Sequence, residues 1–468
     1  NSDEGKTITT DDAGNIYVTG YFCGTATFGS YSLTSSGIDD IFVAKMDADG
    51  IWQWAKQAGG SFEDSGKSIA LDSAGNSYVT GHFEGTAIFG STSLTSSGST
   101  DIFVAKLDVD GNWLYAISAG GSCFDFGCSI ALDSAGNSYV TGKFYGTATF
   151  GSASLTSCGY YDIFVAKMDA DGNWQWATRA GGSSGDSGTS IVLDSAGNSY
   201  VTGDFKHTAT FGFTSLTSNE YPDIFIAKMD ADGNWQWATR AGGSSYDYCG
   251  CIALDSAGNS YVTGKFIGTA IFGSISLTSS GLDDIFVAKM DADGIWQWAT
   301  RAGGSDYDCG YSIALDSAGN SYVTGHFEGT AIFGSISLTS SSGSYDVFAA
   351  KMDVDGIWQW ATRAGGSGIG SDCGYSIALD SVGNSYVTGC FYETATFGST
   401  SLTSCGSHDI FVAKLNSSVS ANSEIYPDVN ILSNYPNPFN PTTRIHYSII
   451  EKSNVRINVF NIKGQLVK

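Results

Sequence analysis

The stretch SIALDSAGNSYVTGHF at residues 68–83 decides the fold, because the chain repeats it along most of its length. Its YVTG tetrapeptide occurs seven times, with the tyrosine at positions 17, 78, 139, 200, 261, 322 and 386. Five successive spacings are 61 residues and the last is 64 residues. Self-similarity at a fixed long period is the signature of a repeat architecture. The sequence therefore indicates seven copies of one unit.

The repeated unit contains the pattern of four short strands. In the second copy, SIALD (68–72) and SYVTGHF (77–83) flank the turn SAGN, and a long connection follows. DIFVAKLD (101–108) and WLYAISAGG (113–121) then flank the turn VDGN. Four antiparallel strands in a meander, at a period above about 40 residues, are typical of a β-propeller blade. We expect an all-β fold over residues 1–415: a seven-bladed β-propeller of four-stranded antiparallel blades, closed into a ring.

The composition restricts the classes of function. The 468 residues include 22 Lys and Arg against 47 Asp and Glu, which gives a formal charge of −25. Such a polyanion repels phosphate backbones, so nucleic acid is excluded as a partner. Charged residues make up 15% and hydrophobic residues 42%, which is typical of a folded chain rather than a disordered acidic one. No apolar run reaches the length of a membrane span.

The phrases SIALDSAGNSYVTG, DIFVAKMDADGNWQWA and GTATFGS resemble the bacterial β-propeller repeat called SBBP. The resemblance covers the predicted propeller, residues 1–415. It implies a propeller carried by an extracytoplasmic bacterial protein, and it implies no single activity. The chain starts at Asn1 and shows no signal peptide, so we expect that a leader has been removed or that the chain is a fragment.

The C-terminal part departs from the repeat. Residues 416–431 have the composition of a polar linker. Residues 432–468, which contain YPNPFNPTT and NVRINVFNIKGQ, resemble the C-terminal sorting domain of the type IX secretion system. The resemblance implies a partial β-sandwich-like domain, truncated at Lys468, that engages the type IX secretion machinery. It implies a location outside the cell or on the outer surface of a bacterium.

Tight turns with an aspartate ahead of a glycine recur in every unit. The pairs Asp47/Asp49 and Asp108/Asp110 superficially resemble a calcium loop, but the glycine is fourth rather than sixth and no glutamate follows at the twelfth position. An aspartate that caps the amides of its own turn is the favoured interpretation. Calcium at these pairs is the alternative, and no other metal or cofactor is predicted.

All eleven tryptophans lie in the fourth strand of a unit, mostly as WQW, which would place both rings on the same side of the strand. Packing between blades is the favoured role, and an exposed carbohydrate platform is the alternative. A lysine at the end of each third strand is predicted to pair with a turn aspartate. These lysines occupy positions 45, 106, 167, 228, 289, 351 and 414.

The ten cysteines and five histidines form no recognisable catalytic or zinc-binding pattern. An even number of cysteines in a secreted protein permits disulfides, but the spacing does not identify the pairs. A glycosidase would need two carboxylates at a defined separation, and no acidic pair stands out from the repeat.

The informative positions are those at which near-identical units differ. They lie directly after YVTG and in the two long connections of each unit, which a meander places on one face of the disc. A fixed scaffold with variable aromatic loops is typical of a binding surface, although drift in exposed loops gives the same pattern. The candidate binding residues in the loops are Phe124, Tyr160, Tyr221, Tyr246, Tyr307 and Tyr345. The positions after YVTG hold Tyr21, His82, Lys143, Asp204, Lys265, His326 and Cys390.

These patterns predict a non-catalytic scaffold for binding, adhesion or interaction, secreted or displayed on the cell surface, with an unknown protein or glycan as its partner. Two alternatives remain open. One is a polysaccharide-active enzyme built on a propeller, and the other is a purely structural spacer in an envelope assembly.

The fourth-strand pattern occurs only six times, whereas the first three strands occur seven times. The seventh unit ends at DIFVAKLN (409–416) and continues directly into the linker. We expect a WQWATRAGGS-like strand upstream of Asn1 to complete the last blade. In this chain that blade should have three strands, or borrow a substitute from residues 419–425. Its third strand would then be an edge that is liable to pair with another chain.

Overall fold

The computed structural model describes residues 2–341, 344–366, 368 and 370–417, together with two short strands at 433–435 and 444–446. Contacts divide the chain into one unit of residues 1–417 and a second of residues 418–468. In this described part every regular element is a β-strand, and no helix is long and apolar enough to cross a membrane. The all-β prediction is confirmed.

The first three repeats follow the predicted order of strands. The first contains β1 (Glu4–Thr10), β2 (Ile16–Phe22), β3 (Thr25–Phe28), β4 (Tyr31–Thr34), β5 (Asp40–Met46) and β6 (Trp52–Ala58). The second contains β7 (Ser65–Leu71), β8 (Ser77–Phe89), β9 (Thr92–Leu107) and β10 (Trp113–Gly121). The third contains β11 (Asp125–Leu132), β12 (Ser138–Phe150), β13 (Ala153–Met168) and β14 (Trp174–Gly182).

The next three repeats keep the same order. The fourth contains β15 (Ser187–Leu193), β16 (Ser199–Phe205), β17 (Thr208–Phe211), β18 (Thr214–Thr217), β19 (Asp223–Met229) and β20 (Trp235–Gly243). The fifth contains β21 (Asp247–Leu254), β22 (Ser260–Phe272), β23 (Ile275–Met290) and β24 (Trp296–Ala302). The sixth contains β25 (Cys309–Leu315), β26 (Ser321–Phe327), β27 (Thr330–Phe333), β28 (Ile336–Thr339), β29 (Asp346–Met352) and β30 (Trp358–Ala364).

The seventh repeat contains three strands within the described residues: β31 (Cys373–Leu379), β32 (Ser385–Phe397) and β33 (Thr400–Leu415). The segment 419–425, which was expected to offer a substitute strand, lies outside the described residues. So do residues 418–431 of the linker and the sorting-domain segment, except for β34 (Ser433–Tyr435) and β35 (Arg444–His446), which pair antiparallel.

Each of the first six repeats forms an antiparallel meander, as in the order β1-β2-β5-β6. The long connection between the second and third strands folds into a hairpin, which is separate as β3-β4 or continuous with the flanking strands as in β8-β9. Glycines at the end of one fourth strand pair with the hairpin of the following repeat, as Gly181 does with Thr210 and Gly182 with Ala209. The fold therefore consists of propeller-like repeats of antiparallel strands joined to their neighbours through the backbone.

First strands lie next to one another. β7 packs against both β1 and β11, and β31 packs against both β25 and β1. A serine hydroxyl of one first strand accepts a hydrogen bond from a backbone amide in the first strand of the adjacent repeat. Ile130 N, for example, donates to Ser68 Oγ at 3.2 Å. The same bond joins the first repeat to the last, from Ile8 N to Ser376 Oγ at 3.3 Å.

The hydrophobic core lies between adjacent sheets. Ile41 of the first sheet packs with Val79 and Phe103 of the second, and Tyr386 of the seventh packs with Val18 of the first. Apolar faces that are buried only against a neighbour make each repeat depend on the next for its stability.

Candidate binding face

The meander defines two faces of the repeat array. The turns between first and second strands and between third and fourth strands lie on one face, which we call the turn face. The bases of the hairpins and the connections from one fourth strand to the next first strand lie on the other, which we call the loop face. The predicted binding residues all belong to the loop face.

Aspartates on the turn face cap their own turns. Asp47 Oδ1 accepts hydrogen bonds from the amides of Asp49 at 3.1 Å and Ile51 at 2.9 Å. Asp108 Oδ1 accepts in the same way from the amide of Asp110 at 3.0 Å. The capping interpretation is therefore confirmed at both turns, while Asp49 and Asp110 point their carboxylates to solvent.

The recurring lysine packs on the tyrosine of the same repeat. Lys106 Nζ lies 4.6 Å from the ring centroid of Tyr78 and 3.7 Å from Asp72 Oδ2. All seven lysines make this cation–π contact, at 4.6 to 5.2 Å. The predicted pairing with a turn aspartate is confirmed for four of the seven lysines, Lys106, Lys167, Lys228 and Lys351. The tyrosine ring is a second partner that the sequence pattern did not reveal.

The tryptophans of the fourth strand contribute to packing. Trp54 is 7% exposed, and its Nε1 donates to Val109 O of the following repeat at 3.1 Å. Trp235, which occupies the Trp52 position in its own repeat, donates to a carbonyl of the preceding repeat at 3.3 Å. The predicted packing role is confirmed. The expectation that both rings lie on the same side is wrong, because a β-bulge at Gln53 makes the two tryptophans oppose successive residues of the third strand.

Buried aspartates hold the bases of the loops. Asp186 accepts from the amides of Gly182 at 2.7 Å and Lys206 at 3.0 Å, and burial raises its pKa to about 7. Asp162 accepts from Arg179 Nη1 at 2.7 Å, and its Oδ1 has no hydrogen-bond partner among the described residues. The equivalent pairs are Asp40/Asp64, Asp101/Asp125, Asp223/Asp247, Asp284/Asp308 and Asp346/Asp372. These anchors fix where each variable loop begins and ends.

Four of the six predicted aromatic residues are well exposed on the loop face. The exposed fraction is 47% for Phe124, 61% for Tyr160, 43% for Tyr246 and 42% for Tyr307. Tyr221 and Tyr345 are partly buried. The loops therefore present aromatic surface to solvent in several repeats, as a binding face requires.

The predicted residues form separate aromatic groups. Tyr221 and Tyr246 lie 4.6 Å apart between ring centroids, and so belong to one group. Tyr160 lies 5.4 Å from Tyr145, in another group. Tyr345 stacks on His326 at 4.4 Å. Phe124 stacks on Phe126 at 6.5 Å, so five of the six predicted residues contact another ring. The structure does not join all six into one site.

A second set of variable side chains lies on the first and second strands, and we call it the inner-strand cluster. Its second-strand members are the residues after YVTG. Its first-strand members were not singled out from the sequence, because their nearness depends on strand register. The first-strand positions hold Lys6, Lys67, Cys128, Thr189, Gly250, Tyr311 and Tyr375. Six of them are the last residues of the variable segments that precede the first strands, so comparison of the copies marks them as variable but does not show that they lie together.

Contacts within the inner-strand cluster cross from repeat to repeat. Lys6 Nζ lies 4.0 Å from the ring centroid of Tyr375, which lies 5.3 Å from that of Tyr311. Tyr311 lies 5.3 Å from His326, whose Nδ1 is 3.9 Å from Cys373 Sγ. Aromatic, cationic and thiol groups of the first, sixth and seventh repeats therefore form one continuous cluster, in which His326 and Cys373 are buried.

Burial shifts the ionisation of this cluster. Burial and the nearby Lys6 lower the pKa of Lys67 to about 8. Burial raises the pKa of Asp204 to about 6, against the opposing effect of Lys143. Burial and neighbouring lysines lower the pKa of His82 to about 3, so this histidine is neutral at pH 7. The cluster offers both charges and aromatic faces, which suits a polar ligand with apolar surface.

The described residues contain no group of three or more His, Cys, Asp or Glu side chains placed to hold a metal ion. The ten cysteines are free thiols in this structure. Cys373 and Cys390 lie directly opposite each other in the strand register.

A protein-family model described as a beta-propeller repeat, SBBP, matches six segments of the chain. After the first, each match runs from a fourth strand through the second strand of the following repeat. The matched residues are 1–21, 53–82, 175–204, 236–265, 297–326 and 359–389. The chain therefore contains SBBP beta-propeller repeats, as the repeated phrases indicated.

Two curated relatives are each 26% identical to this chain. One is an uncharacterized WD repeat-containing protein of Acanthamoeba polyphaga mimivirus, matched over 84% of this chain and 35% of its own length. The other is the regulatory protein FlaEY of Caulobacter vibrioides, matched over 71% of this chain and 37% of its own length. The chain spans about a third of the length of these relatives. The crystal structure of Sqt1 from Chaetomium thermophilum is 8% identical, with a TM-score of 0.41 over 83% of this chain and 79% of that one.

Proposed function

We propose that this protein is a non-catalytic binding scaffold that holds a protein or a glycan on its loop face. The proposal rests on one observation: the near-identical repeats differ in sequence on the loop face and not on the turn face. On the turn face, the turns keep their sequence and their first aspartates are engaged in capping bonds. On the loop face, side chains change from repeat to repeat and aromatic rings are exposed. A rigid frame with variable aromatic and polar side chains is typical of recognition surfaces.

The test is binding of the labelled protein to a glycan array and to a peptide library, followed by variants of each face. The loop-face variant combines Phe124→Ser, Tyr246→Ser and Tyr307→Ser. The control combines Ile51→Ser, Ile295→Ser and Ile357→Ser, which are exposed apolar residues of the turn face. Both variants should melt like the parent protein, because exposed substitutions are usually mild.

We expect the loop-face variant to lose about tenfold or more in affinity and the control to bind as the parent does. Loss of binding in the control alone would assign recognition to the turn face. Turnover of a polysaccharide would favour the enzyme alternative, and absence of any ligand would favour the structural spacer.

We also infer that the seven repeats form a closed ring of seven blades. Support comes from the bond between Ile8 N and Ser376 Oγ, which repeats the bond between adjacent repeats. Asp3 N also donates to His408 O at 2.8 Å. Small-angle scattering should give the profile of a disc, and the profile of an open superhelix would contradict this inference.

We further propose that the protein reaches the outside of a bacterial cell through the type IX secretion machinery, with residues 432–468 as its signal. The resemblance of YPNPFNPTT and NVRINVFNIKGQ to sorting domains supports this route. In a host that has this machinery, the chain with a secretory leader fused ahead of Asn1 should appear in the medium or on the cell surface. A chain that lacks residues 432–468 should stay inside, and equal export of both would contradict the proposal.

A further inference from the structure

Two cysteines of the seventh repeat lie opposite each other on neighbouring strands. Cys373 begins β31, and its partner in the antiparallel register is Cys390 of β32. In the sixth repeat the same register position pairs Cys309 with His326. Within the part of the chain that the structure describes, the seventh repeat is therefore the one place where strand pairing sets two cysteines side by side.

The two thiols are close enough to react with each other. Residues directly opposite in an antiparallel pair have Cα atoms about 4.5 to 5.5 Å apart, which falls within the Cα separation found in disulfides. Their side chains leave the sheet on the same face. A side-chain hydrogen bond with Cys390, together with burial, raises the pKa of the Cys373 thiol well above its ordinary value. Both side chains are buried, so the surrounding residues hold the two sulfurs near each other.

Polar groups of the inner-strand cluster surround the pair. His326 Nδ1 lies 3.9 Å from Cys373 Sγ, and Tyr375 Oη lies 3.8 Å from Cys390 Sγ. Burial lowers the pKa of His326 to about 4, so its imidazole is neutral at pH 7 and one ring nitrogen can accept a proton. The pair therefore has a proton acceptor beside it, and loss of a proton is what converts a thiol into the reactive thiolate.

Other cysteines in the strands have different partners. Cys249 and Cys251 lie on the same strand, β21, and their thiols donate to different backbone carbonyls, Thr263 O at 3.5 Å and Ile313 O at 3.9 Å. Cys309 opposes a histidine rather than a cysteine. Strand register thus identifies a pair that the spacing of the ten cysteines in the sequence does not reveal.

We propose that Cys373 and Cys390 are a site of covalent modification, at which a small-molecule disulfide converts the two thiols into a cross-strand disulfide. The thiolate of one cysteine attacks a sulfur of the small molecule, which releases one small thiol and leaves a mixed disulfide on the protein. The second cysteine then attacks the protein sulfur of that mixed disulfide, so the bond between Cys373 and Cys390 forms and a second small thiol leaves. Both cysteine protons end on the released thiols. Two thiols of the protein are oxidised and one small-molecule disulfide is reduced.

The bond changes the inner-strand cluster. It ties β31 to β32 next to Tyr375, whose ring contacts Lys6 of the first repeat at 4.0 Å. It also removes the thiol that lies beside His326 Nδ1. The cluster therefore has two chemical forms, one with two thiols and one with a disulfide, in the region where the first and last repeats meet.

The test is to map the bond in the full chain. The protein is reduced, freed of reductant and incubated with glutathione disulfide, and its remaining thiols are then blocked with N-ethylmaleimide in denaturant. Chymotrypsin cleavage after Tyr375, Tyr386 and Phe391 places Cys373 and Cys390 on separate peptides. Mass spectrometry should find these two peptides joined after oxidation, and separate in the reduced sample or after treatment with dithiothreitol.

Two variants serve as controls. Cys158→Ser removes an exposed cysteine of the third repeat and should leave the joined peptides unchanged. Cys390→Ser should abolish them, and Cys373 should then be recovered as a free thiol or as its mixed disulfide with glutathione.

The proposal would be overturned if the oxidised parent chain yields Cys373 and Cys390 as two free thiols or as two separate mixed disulfides. A peptide that joins Cys373 to Cys309 instead would also overturn it, because the reactive partner would then lie in the sixth repeat. Both results come from the parent chain, so they do not depend on whether a variant folds.

Discussion

Gly181 shows why a glycine ends the fourth strand of each complete repeat. Its φ is +137°, and a Cβ there would lie 2.9 Å from both Asp162 Oδ1 and Asp186 Oδ2. Two buried carboxylates therefore approach one Cα, and burial raises the pKa of Asp186 to about 7. The residues that anchor the loops are consequently sensitive to pH.

The free energy of unfolding should fall between about pH 4 and pH 7. An aspartate with a raised pKa binds its proton more readily in the folded chain, so its contribution is present at low pH and lost as the pH rises through the folded value. The pKa is raised to about 7 at Asp64, Asp125, Asp186, Asp247 and Asp308. It is raised to about 6 at Asp3, Asp204, Asp223 and Asp372.

The melting temperature should therefore be higher at pH 5 than at pH 7.5. His82 and His326, whose pKa values burial lowers to about 3 and about 4, change the stability in the opposite direction, but they are two groups against nine aspartates. Asp186→Asn should reduce the difference between the two melting temperatures. A melting temperature that is equal at both pH values, or higher at pH 7.5, would contradict the raised pKa values.

At the scale of the element, the bulge in the fourth strand allows one strand to bind two neighbours. Without the extra residue at Gln53, Trp52 and Trp54 would lie on one side, and the following repeat would lose its contact. Sequence periodicity cannot reveal such a bulge, because W-Q-W reads as simple alternation. Burial of the rings was predictable, but their directions were not.

Trp54→Ala should destabilise the protein by about 3 kcal/mol or more. The ring lies 6.1 Å from Tyr17 between centroids and carries the bond to Val109 O, so the substitution opens the contact between two sheets. Leu114→Ala is the matched control, because Leu114 occupies the bulge position of its strand and is 52% exposed. Urea unfolding should shift for Trp54→Ala and remain within about 0.5 kcal/mol for Leu114→Ala. A similar loss of unfolding free energy in both variants would contradict the assignment of Trp54 to the contact between sheets and of Leu114 to the solvent-exposed bulge.

At the scale of the whole molecule, the repeat period was sufficient to predict the strand order, the turn caps and the face that carries the variable loops. The candidate site was predicted in part. Phe124 and Tyr246 were found because they interrupt a repeated loop sequence, whereas the contact of Lys6 with Tyr375 joins residues from opposite ends of the repeat array. Proximity of that kind follows from strand register and from packing between the first and last repeats, which no local pattern encodes.

Removal of residues 418–468 should leave the repeat array folded, because residues 1–417 form a compact unit through their own contacts. The shortened chain should match the full chain in melting temperature and in the near-ultraviolet circular dichroism of its tryptophans, all of which lie at or before position 360. A clear fall in the melting temperature would show that the C-terminal residues stabilise the repeats.

The likeness of the repeats also has a consequence for folding. A fourth strand with two tryptophans and two glycines fits the third strand of almost any repeat, so chemistry alone scarcely distinguishes right from wrong partners during synthesis. Chain connectivity favours the correct partner, because pairing with a distant repeat closes a longer loop than pairing within one repeat. A loop roughly ten times longer costs about 2 kcal/mol more to close. A free-energy difference of this size allows mispaired strands to be populated early in folding. The chain reaches its native pairing chiefly because each hairpin can form as soon as its own strands have been synthesised.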